Sequence, residues 1–328
     1  MPRIARFMKT LLTAVALTLV ASNAAAQAYP SKPVTMIVPF AAGGPVDVIA
    51  RIVAVPMGKA LGQTVLVESV TGAAGTLGVG RVAKAAPDGY LLSIGHWSTH
   101  VINGAVYPLS YDLLADLEPI AMIASNPLLI VAYPALPPKD LRELVAWLKA
   151  NPDKASVGTA GTGSASHVGG VYFQGATGTK FQYIPYRGTG PAMQDLVGGR
   201  IELMFDQASN SMPQLRNGRI KAYAVTAKTR LATAPEIPTV DEAGLPGLYL
   251  SIWYGIWAPK GTSGEVVRKL SAAIMTSLAD PDTRKRIADL GQEIPAAEQQ
   301  TPQALAAHHK AEIEKWWPLV KAAGIKPE

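Results

Sequence analysis

The sequence contains no cysteine. That excludes disulfide staples, a thiol nucleophile, and an acceptor for the lipid of a bacterial lipoprotein. It also lacks H-E-x-x-H and G-x-S-x-G, and its five histidines, His96, His100, His167, His308 and His309, form no ligand pattern with nearby acids. Zinc-protease and serine-hydrolase chemistry are excluded on those grounds, and no cofactor or metal is expected. No basic run marks a nucleic-acid surface: cations are interspersed with acids, as in Arg284-Lys285-Arg286 followed by Asp289. Nucleotide loops are missing too. Gly158 to Gly163 has the spacing of a phosphate-binding loop, but Ser164 stands where Lys is required and Ala165 where Ser or Thr is required. Gly161-Thr162-Gly163 opens a dinucleotide pattern that ends in Ser166 instead of Gly.

What is present begins with Arg3, Arg6 and Lys9, an uncharged run of 11 residues from Thr10 to Val20, and small residues ending in Ala26-Gln27-Ala28. These are the three regions of a secretory signal peptide, and the run falls well short of the about 20 residues that span a bilayer. Residues 1–28 are therefore expected to be removed near Ala28, releasing a free periplasmic protein. The leader takes three cations with it, so the mature chain of 300 residues holds 27 Lys and Arg against 24 Asp and Glu. That length suits two domains, on a rough prior of about 100–200 residues each.

The pattern alternates strand and helix. Val34–Val38 reads as a strand, a loop follows to Pro45, and apolar residues from Val46 to Leu61 recur at helical spacing with Gly62 as the stop. Val65–Val67 and Leu91–Ile94 read as further buried strands. The unit recurs about 120 residues later: a helix over Leu141–Ala150, a strand over Ala155–Val157, the loop Gly158–Ser164, and a helix from Ala165 towards Gln174. The fold class is α/β, with two lobes joined by two crossover strands, Pro127–Tyr133 and Ile252–Pro259. Lobe 1 is expected to comprise 29–126 and 251–328, and lobe 2 to comprise 127–250, an arrangement that permits hinge closure.

Each glycine loop opens a helix, whose first N–H groups lack internal partners and carry the positive end of the macrodipole. Such a turn receives an anion. Neither loop has Lys or Arg, so a small carboxylate there would be held by amides, Ser and Thr hydroxyls and water. Candidate contacts are Phe40, Ala41, Ala42, Gly43 and Gly44 from the first loop, and Thr162, Gly163, Ser164 and Ala165 from the second. His96, Trp97 and Ser98 follow a strand end and are candidates by position. Asp206 ends another strand-like run. Asp47 and His167 sit in first helical turns, where bracing competes with ligand contact. Trp253, Tyr254 and Trp257 are expected in hinge and core packing, His308 and His309 on the surface, and Arg187 in a solvent-facing loop, pairing with a carboxylate being its alternative.

Several stretches carry a resemblance. They are Pro39-Phe40-Ala41-Ala42-Gly43-Gly44 with Asp47 and Ala50-Arg51; Val82 to Tyr90; Gly161 to Ser164 with His167; and Pro185-Tyr186-Arg187-Gly188 with Pro191-Ala192. Pro235 to Val240 with Glu242-Ala243-Gly244, Trp253-Tyr254-Gly255 with Ala258-Pro259, and Lys321 to Ile325 complete the set. In these the chain resembles the Bug (TctC-like) substrate-binding receptors of tripartite tricarboxylate transporters. The resemblance implies a type II periplasmic-binding-protein fold, a ligand carboxylate between the first loop and the Gly161–Ser164 loop, and inner-membrane transporter components as partners. A monomer without enzymatic activity is expected; an enzyme on the same scaffold and a signalling receptor are the alternatives. Ala42 replaces a common Pro, and Gly95 to His100 carries an aromatic where small or polar residues are common. Both departures bear on the ligand, for which a dicarboxylate, an aromatic acid and an acidic amino acid remain open.

Protein recovered from the periplasm is expected to begin at or near Tyr29 by mass spectrometry. Recovery of the species starting at Met1 would contradict the leader assignment.

Overall fold

The computed structural model describes residues 29–152 and 154–326, so the leader and its cleavage near Ala28 lie outside the described residues. The chain begins with β1 (Val34–Val38), α1 (Pro45–Leu61), β2 (Val65–Ser69), α2 (Thr76–Ala83), β3 (Leu91–His96) and α3 (Asn103–Val106). Next come β4 (Leu117–Ala132), α4 (Leu141–Ala150), β5 (Ser156–Thr159), α5 (Ala165–Thr177), β6 (Gln182–Pro185) and α6 (Thr189–Val197). Then follow β7 (Leu203–Gln207), α7 (Ala208–Arg216), β8 (Lys221–Val225), β9 (Ser251–Pro259), α8 (Gly264–Ala279), α9 (Pro281–Asp289) and α10 (Pro302–Ala322).

Local chemistry sets the boundaries. Helix α1 starts with Pro45, whose missing N–H costs nothing at a first position, and ends at Gly62 in the left-handed conformation. Asp140 caps α4 by accepting from Glu143 N, and Ser164 caps α5 by accepting from His167 N. Strand β1 is almost wholly buried, as its β-branched apolar composition requires. Strand β2 departs from expectation: Val65 is buried but Leu66 is 50% exposed. Its position at the sheet edge, with a neighbour on one side only, is the reason.

The strand order is β2-β1-β3-β9-β4-β7-β5-β6, with β8 also paired to β4. Strands β2, β1 and β3 run parallel, as do β7, β5 and β6. Between these groups lie β9 and the 16-residue β4, antiparallel to each other and to the strands they meet. From Leu117 to Pro127, β4 pairs with β9; from Leu128 to Ala132 it pairs with β7. Pro127–Tyr133, expected as an extended crossover strand, is largely the second part of one long strand that begins at Leu117. Thr226, 1% exposed, stitches the point of exchange. Its hydroxyl accepts from Leu128 N at 2.9 Å and donates towards the Leu128 and Leu250 carbonyls, both at 3.0 Å.

Helix α10 returns to cover β9 and the segment after β3. Trp317 Nε1 donates to Val101 O at 2.8 Å, and a His309 ring nitrogen meets His100 O. His309 is 1% exposed, which overturns its expected surface position. Its ring packs edge-on against Trp257 and His100, which stack on each other at 3.7 Å. His308 is half-buried against Trp253. Both follow from docking of α10, which sequence periodicity on a polar helix does not reveal.

Burial pushes His96, His167 and His309 down to about 4, and His100 well below its ordinary value. An unfolded chain takes up these protons as the pH falls below about 6.5. The folded chain refuses them until about pH 4. Stability is therefore full above the unfolded value and lost on acidification, each histidine contributing a slope of up to about 1.4 kcal/mol per pH unit. His309→Gln, which keeps a donor for His100 O, is expected to flatten that slope by one proton's worth. Urea unfolding between pH 4.5 and 7.5 measures it, and identical slopes in both proteins would refute the assignment.

Candidate functional site

Parallel strands in each group deliver their C-terminal ends to one place. The first loop leaves β1 through Phe40 and turns at Gly43, whose φ of +81° favours glycine. Asp47 Oδ2 accepts from Gly43 N at 2.9 Å, and the same carboxylate pairs with Arg51 at 2.9 Å. Asp47 thus braces the turn that begins α1. The second loop leaves β5 through Gly161 and Gly163, both at positive φ. Gly163 N donates to His167 Nδ1 at 3.3 Å, and Tyr107 OH donates to Thr162 O at 2.6 Å, tying this loop to the segment after β3. Ser164 Oγ shares a 3.0 Å hydrogen bond with Ser166 Oγ, which accepts from Ala160 N at 3.0 Å.

For ligand contact, a third loop, between β6 and α6, entered the sequence reading only through Arg187, expected to face solvent with carboxylate pairing as its alternative. Ala41 N donates to Arg187 O at 3.1 Å across the two strand groups. A Cβ on Gly188 would sit 3.1 Å from Ala41 N, and one on Gly190 would sit 3.2 Å from Gly44 N. Backbone meets backbone here because neither glycine has a side chain. Arg187 itself is exposed. The clue was available in Gly188-Thr189-Gly190 after a strand-like run.

These loops enclose a cavity. One wall is Phe40, Gly44, Pro45, Val46 and His96; the other is Ala160, Ser164, Ala165, Ser166, Thr189 and Gln207. Among the described residues no Lys or Arg lines it. Its volume is about 20 Å³, whereas pockets for drug-sized ligands typically measure about 300–1,000 Å³. The amino-terminal turns of α1 and α5 border it from opposite walls, and Gly44 has a negative φ with ordinary contact room for a Cβ, 3.5 Å from Ala41 O.

Of the candidates at the end of β3, the structure brings His96 to the cavity. Ser98 N donates to His96 Nδ1 at 3.2 Å, which places the ring proton of this neutral histidine on Nε2. Phe40 stacks on the ring at 5.3 Å. Ser98 lies buried behind it, its hydroxyl 3.1 Å from His96 Nδ1. Trp97 faces away and packs on Trp316 at 4.8 Å. A π-helical turn from Ser98 to Ile102, which the sequence did not announce, sets these directions. Ala41, Ala42, Gly43, Thr162 and Gly163 shape the loops around the cavity without lining it, and His167 packs beside Tyr183 at 4.6 Å. At the end of β7 the lining residue is Gln207. Asp206 is fully buried, its Oδ2 accepting from Ser211 Oγ at 2.6 Å and Asn210 Nδ2 at 3.0 Å, with Thr189 beside it. Neighbouring strand residues point to opposite faces, and the charged one drew attention away from its neighbour.

Among the described residues no group of three or more His, Asp or Glu is placed to hold a metal ion, and no helix is long and apolar enough to cross a membrane. Two sets of parallel strands with helix amino termini converging on one cavity define a solute-binding protein. The chain belongs to the tripartite tricarboxylate transporter receptor family, whose sequence model matches residues 49–325. It is 46% identical over 320 residues to the UPF0065 protein in the TAR-I ttuE-ttuC' intergenic region of Agrobacterium vitis, covering 97% of this chain and 92% of that protein. The periplasmic binding protein BugD is similar in structure, with a TM-score of 0.88 and 42% identity over 92% of this chain and 100% of BugD. MatC (Rpa3494) of Rhodopseudomonas palustris, solved with bound malate, gives a TM-score of 0.86 and 41% identity over 89% of this chain and 100% of MatC.

Burial raises Asp206 to about 7 against the pull of Ser211 and Asn210. The unfolded carboxyl ionises near 3.9, so the folded state holds the proton longer and stability falls as pH rises from about 4 to 7, by up to about 1.4 kcal/mol per pH unit. Asp206→Asn is expected to remove that component, so its stability relative to wild type increases with pH across the window. Urea unfolding at pH 5 and pH 8 checks this; a constant difference would show that Asp206 is ionised at both.

Proposed function

We propose that the chain is a periplasmic receptor that captures a small carboxylate, a dicarboxylate or an aromatic acid, and presents it to the membrane components of a tripartite tricarboxylate-type transporter. One observation carries this: the helix amino termini of α1 and α5 oppose each other across a cavity with no cationic side chain. An anion there is met by amides and hydroxyls, in charge-assisted hydrogen bonds worth about 1.5–3 kcal/mol each. Neutral His96 adds a ring donor. MatC and its bound malate support a dicarboxylate among the choices. Of the residues expected from sequence, the ligand-binding set is Phe40, Gly44, His96, Ser164 and Ala165, which line the cavity, with Ala41, Ala42, Gly43, Asp47, Ser98, Thr162, Gly163 and His167 holding them in place.

The lobes are 29–126 with 251–328, and 127–250, acting as a monomer. In support, β4 exchanges partners at Pro127–Leu128, and the loops meet across the cavity through Ala41 N to Arg187 O and Tyr107 OH to Thr162 O. A cavity of about 20 Å³ is smaller than any such acid, so the lobes part to admit it and close around it. The receptor performs no chemistry. Ser164 Oγ accepts from His167 N and pairs with Ser166, with no histidine ring placed as its base.

Calorimetry against a panel of dicarboxylates and aromatic acids tests the reading. Gly44→Val is expected to abolish measurable binding, because the side chain's branch enters the space between the loops. Ser164→Ala is expected to weaken binding about tenfold to a hundredfold, or about 1.4–2.8 kcal/mol, and to cost about 1 kcal/mol of stability as a lost helix cap. Scattering should show a more compact protein with acid bound, and the acid should be recovered unchanged. Full affinity in both folded variants would place the carboxylate elsewhere, and steady conversion of the acid would make the protein an enzyme.

A further inference from the structure

Behind the part of the cavity wall formed by Thr189 and Gln207 lies a carboxyl group on which no cation acts among the described residues. Asp206 is fully buried. Its Oδ2 accepts from Ser211 Oγ at 2.6 Å and Asn210 Nδ2 at 3.0 Å, and Asn210 Nδ2 also donates to Thr189 O at 3.2 Å, so one amide ties the carboxyl to the start of α6. Oδ1 has no hydrogen bond of normal geometry among the described residues. The Thr189 hydroxyl stands between this group and the site. It reaches Asp206 on one side, and on the other its Oγ1 would lie 4.0 Å from a Cβ placed on Gly44.

The elements packed against β7 are β4, β5, α5, α6 and α7. Their ionisable side chains are Glu118, His167, Tyr172, Asp195 and Arg216. Glu118 pairs with Lys260, Asp195 with Arg200, and Arg216 reaches Asp289 O. His167 packs on Tyr183, and Tyr172 is exposed. None of the five acts on Asp206. From β9, Tyr254 feels the Asp206 charge as a neutral phenol, and His96 at the end of β3 is a neutral ring.

The geometry points to Asp206 as a proton site coupled to the cavity, a positioning residue that acts on the bound acid through Thr189. This rests on the carboxylate-receptor reading above and concerns the regulation of that same site. A threonine hydroxyl has one proton to give and lone pairs with which to receive. With Asp206 ionised, Thr189 gives its proton to the carboxylate and turns lone pairs towards the cavity. With Asp206 protonated, its O–H donates to Thr189 Oγ1, and the Thr189 proton is free for an anion at the α1 and α5 amino termini. Charge acts in the same direction. Two carboxylates close together in a buried site with no cation between them do not both stay ionised, and one holds a proton. The acid arrives ionised, so the proton comes from solution and goes to Asp206. Burial keeps that carboxyl protonated up to about pH 7 in the free protein. Below that pH the proton is already in place and affinity is constant; above it, binding has to draw the proton in and affinity falls.

Titration calorimetry with malate in phosphate and in Tris, whose heats of ionisation differ, counts the protons taken up per acid bound. The window is pH 6.5 to 8.5, where malate is already ionised; succinate or benzoate replaces malate where malate is not bound. Wild type is expected to take up a fraction of a proton that grows with pH towards one, while affinity falls by up to about tenfold per pH unit above about pH 7. Asp206→Asn, a fixed uncharged amide, should take up none and bind with an affinity independent of pH. Thr189→Val, which removes the hydroxyl, should weaken binding about tenfold at pH 6.5 and flatten the fall with pH; it decides the matter if the Asn variant does not fold. A wild type that takes up no proton and binds equally across the window overturns the inference and leaves the receptor intact. So does uptake that persists in Asp206→Asn, which assigns the proton to another group such as His96, or a Thr189→Val variant with the wild-type slope. If wild type binds none of the three acids, the receptor reading falls and the inference falls with it.

Discussion

Thr226 occupies the place where the chain passes twice between its two strand groups. Its hydroxyl ties Leu128 to Leu250, so the two passages lie side by side and share one buried anchor. The positions of the loops follow from that. Because β4 serves β9 with one part of its length and β7 and β8 with the other, the two parallel groups extend in opposite directions from a common seam. Their carboxyl-terminal strand ends then face each other, and each helix that follows begins at the same cavity. A different exchange point would shift one set of loops along the strand and separate the two helix termini that border the cavity.

In the proposed receptor, meeting an anion with backbone amides instead of Lys or Arg would have a consequence for transport. Amides are fixed by the helix they open, so little side-chain entropy would be lost on binding, and on the proposed reading their arrangement would depend on closure. Were the two proposed lobes to part, half of the proposed donors would leave together. A cation on one lobe would keep the acid on that lobe after opening. The glycine contacts at Gly188 and Gly190 would serve the same end, since the loops touch through atoms present in every residue and could part without rearranging side chains.

The parts legible in the sequence were those where one residue type has one physical use. Gly43, Gly161 and Gly163 sit at positive φ, Pro45 opens its helix and Ser164 caps its own, and these residues located both loops correctly. What escaped was direction. Choosing between His96 and Trp97, or between Asp206 and Gln207, requires knowing which face of a strand end looks inward, and the π-helical turn after His96 changes that phase. Long-range docking escaped as well. His309 on a mostly polar helix is buried because His100 and Trp257, more than 50 residues distant in sequence, wait beneath it.

The return of α10 onto the first strand group joins residues separated by 209 and 216 positions, through His309 to His100 and Trp317 to Val101. Contacts of such separation must be closed against the entropy of the whole intervening loop, and topologies rich in them assemble slowly. The middle of the chain, with β5, β6 and β7 close in sequence, bears no such burden. Refolding should therefore be paced by the arrival of the last helix, and until then Trp257 and its neighbours are uncovered.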